Sequence, residues 1–279
     1  MRISIHKLSA MKAKGRKFAM LTAYDYAGAR LAEQAGIPII LVGDSLGTVI
    51  LGHESTVPVT MEEMLHHTRP VVRATEKCIV VADMPFMSYQ ASQDDAMVNA
   101  GRLLKDGGAT AVKLEGGSEM APLVRRMVTA GIPVMGHLGL TPQSVNQFGG
   151  HNVQGKTAAA AARLISDARA LEDAGAFAVV LETIPAPVAA AVTERLHIPT
   201  IGIGAGPNCD GQVQVFHDLL GLYDDQRKFK HAKRYATLGQ VIRDAIGEYV
   251  GEVESGVFPT ATESFEIQES VVEELSSVF

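Results

Sequence analysis

Apolar runs in this chain stop on charges at four places. Residues 39–42 lead through Gly43 to Asp44, residues 79–82 end on Asp83, residues 109–112 lead to Lys113 and Glu115, and residues 177–181 end on Glu182. A near-continuous apolar run is what a parallel strand covered on both faces looks like. A carboxylate at its end is costly unless a metal, a partner or a substrate satisfies it. The acids therefore mark one rim, and that rim reads as an active site.

Each residue has a plainer reading beside the chemical one. Gly43 lets the backbone approach a ligand and Ser45 adds a hydroxyl; the plainer alternative for Asp44 is a cap on the next helix. Asp83 ends a strand that stops at Met84-Pro85. Lys113 and Glu115 are two apart and share a face; with Val112 and Leu114 packed outward both point inward, otherwise they form a structural ion pair. An isolated buried carboxylate has its pKa pushed upward, as a general base near neutrality needs; base is thus the chemical reading of Glu182, and a helix cap is its dull alternative.

Asp44, Asp83 and Glu115 together are a hard, all-oxygen set that suits Mg²⁺, which takes one or two carboxylates and keeps waters or substrate oxygens for the rest. Zinc is disfavoured, with no H-E-x-x-H and no paired cysteines, and His66 and His67 diverge on a helix. His137 points to the same rim, as a donor to a substrate oxygen or as a satisfied structural histidine. Gly202-Ile203-Gly204-Ala205-Gly206 lacks the second half of the dinucleotide fingerprint and is followed by Pro207; it reads as a tight turn or as a barrel loop approaching a ligand. Neither G-x-x-x-x-G-K-[ST] nor G-x-S-x-G occurs, so ATP hydrolysis and serine esterase chemistry have no support.

The elements that must carry these residues repeat a pattern of helix, glycine and apolar strand. Strands are expected over residues 18–23, 39–43, 79–83, 109–115, 134–137, 177–182, 200–204 and 212–216. Thr60 and Ser92 open helices with an acid at the third helical position. Eight βα units predict an α/β protein of the (β/α)8 TIM barrel class, with catalytic residues at strand C-termini; a doubly wound open sheet is the alternative. Residues 3–14 read as an amphipathic helix able to plug the barrel's bottom, and residues 45–59 as a long loop at the active rim. Residues 1–260 form one catalytic domain in this reading. Residues 261–279 are an acidic tail whose Ile267, Val271 and Leu275 fall at helical spacing, for docking on a neighbour or as a solvated extension.

The 279 residues are 47% hydrophobic, enough for a full core, and the formal charge of -6 offers no basic field for nucleic acid. No stretch is long and apolar enough for a membrane span, and the start lacks a secretory signal. Cys78 and Cys209 make no disulfide framework, so a cytoplasmic location is expected.

Several blocks together resemble one family. Ala23-Tyr24-Asp25-Tyr26, Leu41-Val42-Gly43-Asp44-Ser45-Leu46-Gly47, Ala82-Asp83-Met84-Pro85-Phe86-Met87, Val112-Lys113-Leu114-Glu115-Gly116-Gly117 and Gly136-His137-Leu138-Gly139-Leu140-Thr141-Pro142-Gln143-Ser144-Val145-Asn146 closely resemble ketopantoate hydroxymethyltransferase, in order, from about residue 4 to residue 259. The resemblance implies a (β/α)8 barrel that moves a hydroxymethyl group from 5,10-methylenetetrahydrofolate to 3-methyl-2-oxobutanoate, giving 2-dehydropantoate for coenzyme A synthesis. By motif it makes Asp44 and Asp83 ligands of one Mg²⁺ per subunit, with Glu115 completing the site directly or through water. It also makes Ser45 and Lys113 substrate contacts, with Asp44 and Asp83 beside them, and Glu182 the base. It implies a ring-shaped homo-oligomer, up to a decamer. The acidic tail departs from the family's short ending.

In chemical terms, a 2-oxo acid chelating Mg²⁺ would form a metal-stabilised enolate when Glu182 removes the C3 proton. Two other readings stand beside this one. Lys113 could be a Schiff-base nucleophile in an aldolase, or the barrel could be non-catalytic.

Overall fold

The computed structural model describes residues 2–223 and 230–276. Eight parallel strands close on themselves in chain order: β1 Phe18–Thr22, β2 Ile39–Val42, β3 Ile79–Asp83, β4 Ala111–Glu115, β5 Val134–Gly139, β6 Ala178–Glu182, β7 Thr200–Ile203 and β8 Gly211–Gln214. β8 pairs with β1 through Phe18 and Gly211. The open-sheet alternative is thereby excluded. Strand positions follow the apolar runs to within one or two residues, the last strand ending at Gln214 instead of residue 216.

Side chains alternate across the strands with the period of two that a pleated strand imposes. Ile40, Val42, Val80, Ala82, Val112, Leu114, Val179 and Leu181 form one core with the surrounding helices. Phe18, Met20, Ile39, Leu41, Ile79, Val81, Ala111, Met135, Ala178, Val180, Ile201 and Val213 fill the barrel interior. Following the inner face toward the strand C-termini, Val81 gives way to Asp83, Ala111 to Lys113 and Glu115, Met135 to His137, and Val180 to Glu182. The barrel thus has an apolar floor with charged groups above it.

The helix Ile5–Ala13 shuts the opposite end, its fully buried Leu8 joining the interior cluster. Lys12 fastens it through an ion pair to Asp210 at 2.9 Å. The capping predictions hold. Thr60 and Glu63 form a reciprocal capping box on the helix Met61–Ala74, and Ser92 accepts from the Asp95 N–H on the helix Gln93–Lys105.

The described chain divides into two compact units, residues 2–219 with 230–233, and residues 220–223 with 234–276. Residue 260, the boundary read from composition, lies inside the second unit, and residues 277–279 of the expected tail fall outside the described chain. The second unit carries the helix Leu238–Ser255, closed by the left-handed Gly256, and the short helix Glu269–Ser276. Val241, Ile246, Tyr249 and Val253 on the longer helix are exposed. Among the described residues no helix is long and apolar enough to cross a membrane.

One interaction near the N-terminal end of β3 gives a stability signature. The Glu33 carboxylate accepts the backbone N–H groups of Glu76, Lys77 and Cys78 at 2.7 to 3.1 Å. Partial burial pushes its pKa up, but these N–H donors outweigh that and bring it from 4.5 to about 2. A lowered carboxylate pKa adds stability above the unfolded value that is lost as pH falls through the folded one. Glu33→Gln is therefore expected to cost about 1 kcal/mol at pH 7, a solvent-discounted figure for a charged hydrogen-bonded group. The gap between variant and wild type closes as pH drops from about 4.5 to about 2; denaturant melts across that range read it, and a constant gap would contradict it.

Candidate active site

Strand register places the charged residues before any side chain is considered. Asp83 pairs with Lys113 across β3 and β4, and Glu115 with His137 across β4 and β5. Asp83, Lys113, Glu115 and His137 are each no more than 6% exposed, and Asp44 just beyond β2 is 5% exposed. The Lys113 Nζ lies 3.0 Å from Asp83 Oδ1, while Asp83 Oδ2 accepts the Asp44 backbone N–H at 3.0 Å. Lys113 also approaches His137 Nδ1 at 3.2 Å. His137 Nδ1 lies 3.4 Å from Glu115 Oε1, and His137 Nε2 lies 3.1 Å from Glu182 Oε2 without hydrogen-bond alignment.

The plainer sequence readings can now be compared with the contacts. Lys113 and Glu115 face inward as expected, but the close ion-pair partner of Lys113 is Asp83. Asp44 caps no helix with its side chain. Glu182 stands at the rim, not solitary as its sequence context suggested, because β5 delivers His137 beside it. Ser45 is partly exposed and its hydroxyl meets the Tyr24 hydroxyl at 2.8 Å. Gly43 permits this packing: a Cβ there would stand 2.8 Å from Ser45 Oγ. His67 holds the Tyr24 carbonyl at 2.6 Å, a structural task. The loop after β7 runs over residues 204–210, and the Gln212 side chain donates to the Gly206 carbonyl within it at 2.9 Å.

Burial and the crowding of like charges together set the electrostatics. Burial, then Asp83 and Glu115, push the Asp44 carboxyl up to about 8, against the opposing pull of Lys113 and a hydrogen bond from Gln143. Burial works against the Lys113 ammonium, but Asp83, Glu115 and Asp44 outweigh it and hold the pKa above its ordinary value. Burial and Lys113 likewise push His137 down, and the Glu115 and Glu182 carboxylates overcome them to bring it up to about 9. The Lys113 contact instead asks for an unprotonated Nδ1, so the ammonium and the carboxylates pull this imidazole in opposite directions.

Gln143 and Tyr89 are participants that sequence reasoning missed. Gln143 is 4% exposed; its Nε2 donates to Asp44 Oδ2 at 2.8 Å and to the Met84 carbonyl at 2.9 Å, and its backbone N–H donates to Glu115 Oε2 at 3.1 Å. Tyr89 donates its hydroxyl to Gln143 Oε1 at 2.8 Å and accepts the Glu115 backbone N–H at 3.1 Å. The available signal for Gln143 was its place just after the His137 strand, behind a proline that opens a short 3₁₀ turn. Nothing local marks Tyr89.

A family model described as ketopantoate hydroxymethyltransferase matches residues 2–261. The chain belongs to the ketopantoate hydroxymethyltransferase family. It is 59% identical over 274 residues to the 3-methyl-2-oxobutanoate hydroxymethyltransferase of Carboxydothermus hydrogenoformans, covering 98% of this chain and 99% of that protein. The protein of the same name from Chloroflexus aurantiacus is 58% identical, with 93% of this chain and 91% of the relative covered. Among solved structures, 2,3-dimethylmalate lyase, a PEP mutase/isocitrate lyase superfamily member, superposes with a TM-score of 0.59 at 17% identity, covering 100% of this chain and 96% of the other. The phosphoenolpyruvate phosphomutase of Streptomyces platensis subsp. rosaceus does so with a TM-score of 0.59 at 17% identity, covering 99% and 96%. At such identity these structures speak for the barrel fold alone.

Among the described residues no three His, Cys, Asp or Glu side chains gather as a ready-made metal cage. Two carboxylates from neighbouring strand ends, one of them hard to ionise beside its acidic neighbours, do fit a hard cation that takes only one or two protein carboxylates. Both Glu115 oxygens face protein groups, Oε2 the Gln143 N–H and Oε1 the His137 ring, as do both Asp83 oxygens, Oδ1 the Lys113 ammonium and Oδ2 the Asp44 N–H.

Lys113 is the ammonium on which this cluster relies. Lys113→Met leaves the buried Asp83 without its counter-charge and is expected to destabilise the protein by about 3–5 kcal/mol. Urea unfolding measures this, and a loss below about 1 kcal/mol would show that the pair is not a supporting element.

Proposed function

We propose that the protein transfers a hydroxymethyl group from 5,10-methylenetetrahydrofolate to 3-methyl-2-oxobutanoate, giving 2-dehydropantoate in pantothenate and coenzyme A biosynthesis. The observation that carries this reading is the buried convergence of Asp44, Asp83 and Lys113, with Glu182 at the rim beside His137. Relatives named 3-methyl-2-oxobutanoate hydroxymethyltransferase, matched along nearly the whole chain, support the acceptor and the group transferred.

Mg²⁺ held by Asp44 and Asp83 would supply a Lewis acid for the carboxylate and keto oxygens of the 2-oxo acid. Lys113 and Ser45 contact the substrate's oxygens, and the Lys113 charge lowers the cost of bringing another anion among buried acids. Glu182 takes the proton from C3 onto a carboxylate oxygen, and C3 bonds to the folate's methylene carbon. Both C–N bonds of that methylene break as one water supplies the hydroxyl, and the C3 proton and the water's remaining proton pass to the two nitrogens of the released tetrahydrofolate. His137 Nε2 lies beside the Glu182 carboxylate at 3.1 Å. The apolar barrel floor keeps water from beneath the reacting groups.

The reading includes a homo-oligomer working in a reducing cytoplasm. The exposed apolar side chains of the helix Leu238–Ser255 and the two buried free thiols support those parts.

Purified protein is expected to consume 3-methyl-2-oxobutanoate only with methylenetetrahydrofolate and a divalent cation, and chelation should abolish turnover. Glu182→Gln should lower kcat by about 10²–10⁴ while leaving substrate binding near wild type, as loss of a general base does. Full turnover by that variant would refute its role as base. Borohydride trapping of a covalent substrate adduct on Lys113 would favour a Schiff-base aldolase instead.

A further inference from the structure

Gln143 has every polar valence of its side chain in use. Its Nε2 donates to Asp44 Oδ2 at 2.8 Å and to the Met84 carbonyl at 2.9 Å. Its Oε1 accepts from the Tyr89 hydroxyl at 2.8 Å and from the Gln90 amide at 3.2 Å. An amide offers two donors and two acceptor lone pairs, so this set is complete. Turning the group over would set its oxygen against the Met84 carbonyl and the Asp44 carboxylate, and its NH₂ against the Gln90 amide. The orientation is locked.

The consequence falls on Asp44. Gln143 occupies Oδ2, and among the described residues no hydrogen bond reaches Oδ1. Burial raises the Tyr89 pKa well above its ordinary value, and the neighbouring Glu115 adds to this. We propose that Gln143 is the positioning residue that presents Asp44 to a divalent cation, holding Oδ2 so that Oδ1 is the oxygen offered. This deepens the proposed function and rests on its assignment of Asp44 to the metal.

Such outer partners of metal ligands typically change affinity by 10- to 100-fold. Gln143→Met keeps the length of the side chain and removes its hydrogen bonds. In the full chain it is expected to weaken Mn²⁺ binding, followed by electron paramagnetic resonance without substrate, by about 10- to 100-fold. The apparent KM for Mg²⁺ should rise by a similar factor while kcat at saturating metal stays within about threefold of wild type, a split that general damage to the fold would not produce. Unchanged Mn²⁺ affinity in a folded Gln143→Met variant overturns the proposal, as does a wild-type protein that binds no Mn²⁺.

Tyr89→Phe removes the hydroxyl that locks the amide and leaves the aromatic ring. It should weaken Mn²⁺ binding by several-fold, and it decides the matter if Gln143→Met does not fold, unchanged affinity again overturning the proposal. A wild-type protein that binds Mn²⁺ but does not turn over the named substrates refutes the function alone, because the affinity ratios still test Gln143.

Discussion

A single ammonium set among buried carboxylates governs this molecule. Lys113 lies 3.0 Å from Asp83 and shares its dry surroundings with Asp44 and Glu115. Charges in a low-dielectric interior interact strongly and tolerate little displacement, and an unpaired one there is expensive. Burial, added to by the neighbouring acids, leaves Asp44 hard to ionise, and the carboxylates around His137 outweigh its burial and leave it easy to protonate. The proteins that hold such a surplus of negative charge usually do so because a cation or an electron-poor substrate completes it.

The barrel makes that crowding possible and keeps it from relaxing. Residues 44, 83, 113, 137 and 182 are far apart in sequence, yet parallel strands in matched register deliver them to one end. The backbone is fixed by ladder hydrogen bonds, so the acids cannot separate by shifting a loop. Gly139 shows how tightly the strand ends are drawn together. Its φ is +94°, and a Cβ there would run into the Glu182 carbonyl and the Ile184 side chain. β5 and β6 can therefore place His137 and Glu182 side by side.

A second tier of neutral groups organises the charged ones. The Asp44 backbone N–H, the Gln143 amide and the Tyr89 hydroxyl each use hydrogen bonds to fix a carboxylate or its neighbour without adding charge. Polar networks of this kind rigidify a site in a way that ion pairs alone, which are not strongly directional, do not. The rotamers of the acids are consequently chosen by groups outside the titrating set.

Much of this was legible in the amino-acid order. Apolar runs ending in acids located the strands and their active rim, because a strand buried on both faces has no other composition available to it. The two-residue spacing of Lys113 and Glu115 determined that they share a face, and the packing of Val112 and Leu114 against the helices made that face the inner one. Pairings across strands were not legible. Which acid Lys113 would meet, that His137 would stand against Glu182, and that Gln143 and Tyr89 would tie Asp44 to Glu115 all depend on strand register and on loops packed over the barrel mouth. Sequence alone determined the kind of element and the side each residue faces, since both follow from local periodicity. Only the tertiary structure decided the partners, because contacts between distant residues are set by how the sheet closes.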